Sequence, residues 1–536
     1  MASAKLFVVL KMNSKFAMHV LVLRLQIMKL GAVRGVVRSR DFDPNEKWLS
    51  LRSQFETNFL SQASSVKIKL IPLVALAASA IAPTLAADQP NIVYILADDA
   101  GYGDFGCYGG TQLTTPNIDR MADEGMRFTR HYAGCTVCAP SRCVLMTGKH
   151  TGHCRVRGNS PGLLKPEDVT IAEVLKEAGY QTACIGKWGI GAPPPLSDPN
   201  DQGFDLFYGY ISMWHAHNFY PEFLIRNGRR EQLSNISQER WKGQDGRGVA
   251  TKKVDYAPDL LTEEVLNYLK AEERQQHPFF LYYALNIPHT NNEGGRHNPG
   301  PEKGMEVPSF GQFENKDWPG PEKGFAMMMH NLDRDVGRIL AELKQQGLDE
   351  NTLVMFSSDN GPHQEGGHKM EFFNSNGNLR GMKRDLYEGG IRVPLIARWP
   401  GKVVAGRTSN HISGFQDLLP TFAEFAGADV PDNIDGLSMV AELTGGEQTE
   451  HDFLYWEFSE QKGKRAVLQN EWKLVQLQVA TDKPSEFELY NVVDDVGEAT
   501  NVAEKHPQKV RELRVLLETA HTANDQYPLF PSERNR

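Results

Sequence analysis

The sequence predicts an α/β fold built on a large, mostly parallel sheet flanked by helices, and three observations carry that expectation. Five apolar runs have strand length: Ile92–Leu96, Thr182–Ile185, Phe279–Tyr283, Leu353–Phe356 and Val393–Ile396. They lack the in-out alternation of a sheet wetted on one face, so both of their faces should be buried. Helical patterns fall between them, as in an α/β domain. Four of the runs lead into charged or metal-ligating residues, at the carboxyl ends of strands where such sheets bind ligands.

Taken in order, the first run ends in Asp98-Asp99. Thr115 and Pro116 then open a helix that carries Ile118, Met121 and Ala122 and closes at Gly125. Thr170 with Glu173 forms a capping box for a second helix, which ends at Gly179. The next strand leads to Lys187 and the third to His289. Leu332, Val336, Ile339, Leu340 and Leu343 recur at helical spacing before Gly347, and the fourth strand ends in Asp359-Asn360. Polar stretches at 192–203 and 290–320 read as long loops that shape a cleft. From about residue 446 the texture shifts to short runs, Phe453–Trp456 and Trp472–Val475, and a helical tail from Pro507 to His521. We therefore expect a catalytic domain over 88–445 and a smaller α+β domain over 446–536.

The 536 residues are 40% hydrophobic, enough for a sizeable core and for more than one domain. A net charge of −9 without a basic stripe argues against nucleic-acid binding. Lys67 and Lys69, an apolar run from Leu70 to Ile81 and small residues up to Ala87 read as a secretory signal peptide over 66–87, too short for a stable membrane span. A periplasmic or secreted protein follows. Residues 1–65 read as an upstream extension from a misplaced start, with Val66 at the position of a GTG codon. All six cysteines lie between Cys107 and Cys184, which excludes a disulfide-stapled scaffold but leaves a single bridge open. Cys135-x-x-Cys138 has redox or zinc spacing, but no second pair completes a zinc site.

Asp98, Asp99, Asp359 and Asn360 offer hard oxygen ligands at one sheet edge, suited to calcium or magnesium. Either pair alone is equally well a turn after a strand; two pairs ending two buried strands favour a metal. Cys138 precedes Pro140, a residue suited to the first position of a helix, which would set the cysteine at a helix N-terminus that favours anions.

The segment Cys138-Ala139-Pro140-Ser141-Arg142, followed by Leu145-Met146-Thr147-Gly148, resembles the maturation motif of the type I sulfatases of the alkaline phosphatase superfamily. The resemblance runs from about Asn91 to the C-terminus and includes Gly186-Lys187-Trp188, Pro288-His289, Ser358-Asp359-Asn360-Gly361 and Arg380-Gly381-Met382-Lys383. It implies an alkaline-phosphatase-like fold and oxidation of Cys138 to formylglycine (3-oxoalanine) by a maturation enzyme. The hydrated aldehyde would attack sulfur and later expel the sulfate, which is covalent catalysis in two easier steps. The same resemblance implies calcium on Asp98, Asp99, Asp359 and Asn360, Lys187 and Lys383 on the sulfate oxygens, Arg142 orienting the formylglycine and His289 as general acid.

One departure stands out, because the family commonly has Gly-Lys-Trp-His and here Gly189 follows Trp188. His215 and His217 are candidates for the missing base. The loops from Trp214 to Pro221 and from His363 to Asn378, with His363 and His368, are the expected sugar contacts of a sulfated carbohydrate. Two other readings stay open at this point: a phosphodiesterase or phosphonate ester hydrolase of the same superfamily, and a glycan-binding protein that lost catalysis.

Overall fold

The computed structural model describes residues 89–534 apart from 161 and 193–196. The expected upstream extension and signal peptide lie outside the described residues. In chain order the strands of the large sheet begin with β1 (Asn91–Ala97), β2 (Met126–Tyr132), β3 (Gln181–Lys187), β4 (Leu206–Tyr210), β5 (Phe223–Arg226) and β6 (Arg229–Gln232). A separate ribbon of β7 (Ile236–Ser237) and β8 (Ala250–Lys252) intervenes. The sheet continues with β9 (Phe279–Ala284), β10 (Thr352–Ser358), β11 (Arg392–Arg398), β12 (Arg407–Ser409) and β13 (Ser413–Gly414).

Its order is β12-β2-β11-β10-β1-β9-β3-β4-β5-β6, with β13 also on β2. The central strands β10, β1, β9, β3 and β4 run parallel. The predicted strand at Val393–Ile396 is real but antiparallel to β10, a direction that a short apolar run does not reveal. Successive residues of β1 face opposite cores: Val93, Ile95 and Ala97 pack on one side, Ile92, Tyr94 and Leu96 on the other. That double burial is why these strands show no alternation.

Helices α1 (Pro116–Asp123), α4 (Ala257–Lys270) and α5 (Gly320–Gln345) cover the first face through Ile118, Val265, Leu332 and Val336. Helices α2 (Cys138–Thr147), α3 (Ile171–Glu177) and α6 (Leu418–Ala426) cover the second through Val144, Leu175 and Phe422. The Thr170–Glu173 capping box forms as expected. Pro140 is not the first residue of α2: the helix starts at Cys138 itself, with extended Val137 as its cap. Proline is tolerated there because the N–H groups of a first turn lack helical partners anyway.

A second sheet is antiparallel, β14 (Leu454–Phe458), β15 (Lys464–Gln469), β16 (Trp472–Leu477) and β17 (Glu488–Asn491). Leu513 and Leu517 of α7 (Pro507–Thr519) pack on one face. Its other face sets Trp456 and Val475 against Leu386, Tyr387 and Ile391, next to the loop that carries Lys383. Both sheets belong to one unit of tertiary structure. The six cysteines all carry free thiols, so the structure forms no disulfide.

Candidate active site and metal centre

The parallel strands end level. Ala97 of β1 is paired with Ser358 of β10, and Ala284 of β9 lies opposite both Leu96 and Gly186. The residues that follow therefore emerge at one edge: Asp98 and Asp99 from β1, Asp359 and Asn360 from β10, with Lys187 closing β3. Gly186 is required for this approach, since a Cβ there would lie 1.9 Å from the Ala284 carbonyl oxygen.

Helix α2 points its first residue into this edge. The Cys138 thiol is 3.4 Å from Asp98 Oδ1 and 4.0 Å from Asp99 Oδ1. Ser141 donates to the Asp359 carbonyl at 2.5 Å, which pins the helix to the end of β10. Arg142 donates through Nε and Nη2 to Asp359 Oδ2 at 3.1 and 2.8 Å, and through Nη1 to the Lys187 carbonyl at 2.6 Å. Lys187 Nζ is 2.6 Å from Asp98 Oδ2, and Lys383 Nζ is 2.6 Å from Asp99 Oδ2. His289 Nδ1 lies 2.6 Å from the Thr290 carbonyl, an acceptor only, so Nδ1 carries the proton and Nε2 accepts from Lys383 at 3.1 Å.

Three buried carboxylates thus face three buried cations. Burial pushes the Asp98 carboxyl up, but Lys187, Arg142 and Lys383 outweigh it and hold the group well below its usual range. The Asp359 carboxyl is pushed up to about 7 by burial and by the charge of Asp98 beside it. Burial raises the Cys138 thiol well above its usual value, so the unmodified side chain is a protonated thiol. Burial and Lys383 push His289 down, leaving a neutral imidazole.

One ligand atom from each of Asp98, Asp99, Cys138 and His289 lies within 4.8 Å of the others, a group that could hold a metal ion. The donors fit a hard divalent cation. Asp98, Asp99 and Asp359 present oxygens, and a cation would relieve the repulsion between them. Asn360 turns its amide N–H group to Asp99 Oδ1 at 2.7 Å, its own Oδ1 is left without a hydrogen-bond partner, and a half-turn of the amide would offer that oxygen instead.

The four histidines separate. His217 stacks on His289 with ring centroids 5.0 Å apart and holds Glu293 Oε2 at 3.3 Å. His363 lies 6.0 Å from His289, its Nε2 at 3.1 Å from the Pro288 carbonyl. His215 is turned away, in correction of its expected place: Nε2 bonds the Phe223 carbonyl at 2.9 Å and the ring packs against Tyr210 and Phe223. His368 is likewise a packed residue, stacked 3.9 Å from Phe325 and held by Glu322 at 2.5 Å. Cys135 does not join Cys138 as a pair; it packs with Val137 and Phe458.

Sequence reasoning missed Glu365, which lies 3.4 Å from Lys383 and 2.7 Å from Arg384, and Tyr282, whose hydroxyl is 3.4 Å from Arg142. Glu365 had a weak signal in its polar loop, whereas Tyr282 is indistinguishable from its apolar strand neighbours.

The fold and the cluster define a hydrolase that transfers a tetrahedral anion. Residues 90–428 match the sulfatase family and 381–522 match the C-terminal region of N-sulphoglucosamine sulphohydrolase. The chain is 35% identical to arylsulfatase A of Homo sapiens over 69% of this chain and 71% of that one. It is 28% identical to the N-acetylgalactosamine-6-O-sulfatase of Bacteroides thetaiotaomicron, over 81% and 93%. The crystal structure of Ps i-CgsB in complex with k-i-k-neocarrahexaose is similar at a TM-score of 0.66 and 26% identity, over 83% and 96%. A phosphonate monoester hydrolase of Agrobacterium radiobacter, at 20% identity and a TM-score of 0.56, shares the fold. The chain belongs to the sulfatase family: it is a type I sulfatase of the alkaline phosphatase superfamily, a sulfuric ester hydrolase. Among the described residues no helix is long and apolar enough to cross a membrane.

Proposed function

We propose that the protein removes sulfate from sulfated carbohydrates outside the cytoplasm, using formylglycine made from Cys138 by a maturation enzyme and calcium held by Asp98, Asp99, Asp359 and Asn360. The observation that carries this reading is the convergence of Cys138 with three carboxylates and three cations at one sheet edge. Bound there, calcium would polarise the sulfate and the formylglycine hydrate would supply a hydroxyl nucleophile. Lys187 keeps N–H groups beyond the one given to Asp98, and Lys383, shared among Asp99, His289 and Glu365, would turn an N–H from one of these partners to the sulfate oxygens. Arg142, fixed on Asp359 and the Lys187 carbonyl, orients the nucleophile. His289, neutral here with Nε2 accepting from Lys383, is the general-acid candidate for the departing alcohol once its Nε2 has taken up a proton from solvent. His217, stacked on His289 with its Nδ1 held by Glu293, is the base in place of the histidine that the family commonly has where this chain has Gly189.

Carbohydrate as the substrate class is supported by the relatives, among them the N-acetylgalactosamine-6-sulfatase of Canis lupus familiaris at 30% identity. Residues 88–445 act as the catalytic domain and 446–536 as a subdomain that backs the Lys383 loop. The test combines release of sulfate from a panel of sulfated sugars with mass spectrometry of the Cys138 peptide. Turnover by protein whose cysteine is unmodified would refute the mechanism.

A further inference from the structure

A cavity of about 440 Å3 opens beside the cluster, within the usual size range of ligand sites. Its lining includes Asn159, Gly189, Ser212, Trp214, Gln244 and Arg247. The inner wall touches the reactive machinery. Asn159 Oδ1 accepts from the backbone N–H of Ala139, the neighbour of Cys138, at 3.2 Å. A Cβ on Gly189 would stand 3.2 Å from Arg142 Cδ and 3.7 Å from Lys187 Cε, so the cavity reaches the sulfate site at the position where the family commonly places a histidine.

Away from that wall the character of the lining changes. Trp214 is 45% exposed, a flat apolar surface of the kind that accepts the face of a sugar ring. Arg247 is half-buried, and its Nε and Nη2 both grip Gln244 Oε1 at 2.9 and 2.6 Å, which fixes the guanidinium plane. Among the described residues it forms no ion pair. Asp245 in the same lining is 3.3 Å from Arg230, and the Glu293 carboxylate, which feels the Arg247 charge from beyond ion-pair distance, is held by His217. A fixed guanidinium without a carboxylate partner is suited to an anion that arrives with the ligand.

We infer that this cavity binds the sugar next to the one desulfated, with Trp214 under its ring and Arg247 on a second anionic group, a sulfate ester or a carboxylate. The inference rests on the sulfatase reading and adds that the substrate carries two neighbouring anions. The test measures kcat/KM for nitrophenyl sulfate, a monosulfated neutral disaccharide, the same disaccharide with a second sulfate on the neighbouring sugar, and a monosulfated disaccharide with a uronic acid neighbour. The two anionic arms separate sulfate from carboxylate.

A charge-assisted contact should favour at least one of them over the neutral disaccharide by about 10- to 100-fold. Arg247→Gln should bring that ratio close to one, and Trp214→Ala should weaken all three disaccharides. Binding of the same sugars to Cys138→Ala, followed by calorimetry, reads the preference even where turnover fails. Equal use of neutral and anionic neighbours, or a preference that survives Arg247→Gln, would overturn the inference. Nitrophenyl sulfate left intact beside an Arg247-dependent binding preference would instead sink the sulfatase mechanism and leave the subsite standing.

Discussion

Two buried ionic clusters in this protein use the same residue types to opposite ends. Around Glu457, Arg157 lies at 2.8 Å, His521 at 2.7 Å and the Tyr455 hydroxyl at 2.7 Å, while Arg157 also donates to the Thr522 carbonyl at 2.6 Å. Donors and acceptors there satisfy one another, and the cluster ties residues 151–157 to the second sheet and the C-terminal tail. At the edge of the large sheet, Asp98, Asp99 and Asp359 converge on one another, and the Asn360 oxygen has no donor. A closed cluster of buried charges can only hold the chain together. One that crowds three carboxylates and three cations at the ends of strands, with an amide oxygen left unpaired, keeps groups that a ligand can engage.

The contrast breaks most visibly at Cys138. Cys138→Ala should abolish turnover while the protein still folds, as a coupled sulfate assay and thermal unfolding will show. Next in size, His217→Ala should slow turnover by about 10²-fold or more and produce a burst of alcohol release before a slow steady state. His215→Ala should give no burst, since that ring only packs; a burst with His215→Ala alone would exchange their roles.

Arg157→Ala tests the closed cluster. It leaves the Glu457 carboxylate with only His521 and Tyr455 as partners and should cost about 1–3 kcal/mol in urea unfolding, with activity per folded molecule retained. Calcium should then separate the two regions: at 100 times its dissociation constant it should stabilise the wild type by about 2.7 kcal/mol. Asp359→Ala should lose that gain and Arg157→Ala should keep it. A calcium response that survives Asp359→Ala would place the ion elsewhere.

The smallest effect is on pH. Burial pushes His521 down, but Glu457 and Glu533 outweigh it and raise its pKa above the ordinary 6.5. A group whose folded pKa is raised stabilises fully below the unfolded value and loses that contribution as pH climbs through the folded one. The melting temperature should therefore fall as pH rises above about 6.5, and His521→Gln should flatten that slope.

The sequence by itself determined the α/β class, four of the central strands and the residues that end them, because a strand buried on both faces is a continuous apolar run and its polar exit is unmistakable. It also singled out Cys138, Lys187, Lys383, Asp98, Asp99, Asp359 and Asn360, which the structure brings to one sheet edge, since motif and strand end coincide. The half-polar strands escaped it: β2, Met-Arg-Phe-Thr-Arg-His-Tyr, has neither a continuous nor a clean alternating pattern. Only the tertiary structure decided which histidine faces the cluster, for His215 and His217 lie two residues apart in one short turn and are sent in different directions by Phe223 and Glu293. The cavity behind Gly189 and the pairing of Arg142 with Asp359, 217 positions apart, were equally beyond it. Local pattern records what a residue does to its own strand or helix, whereas a site is made where strands distant in the chain end side by side.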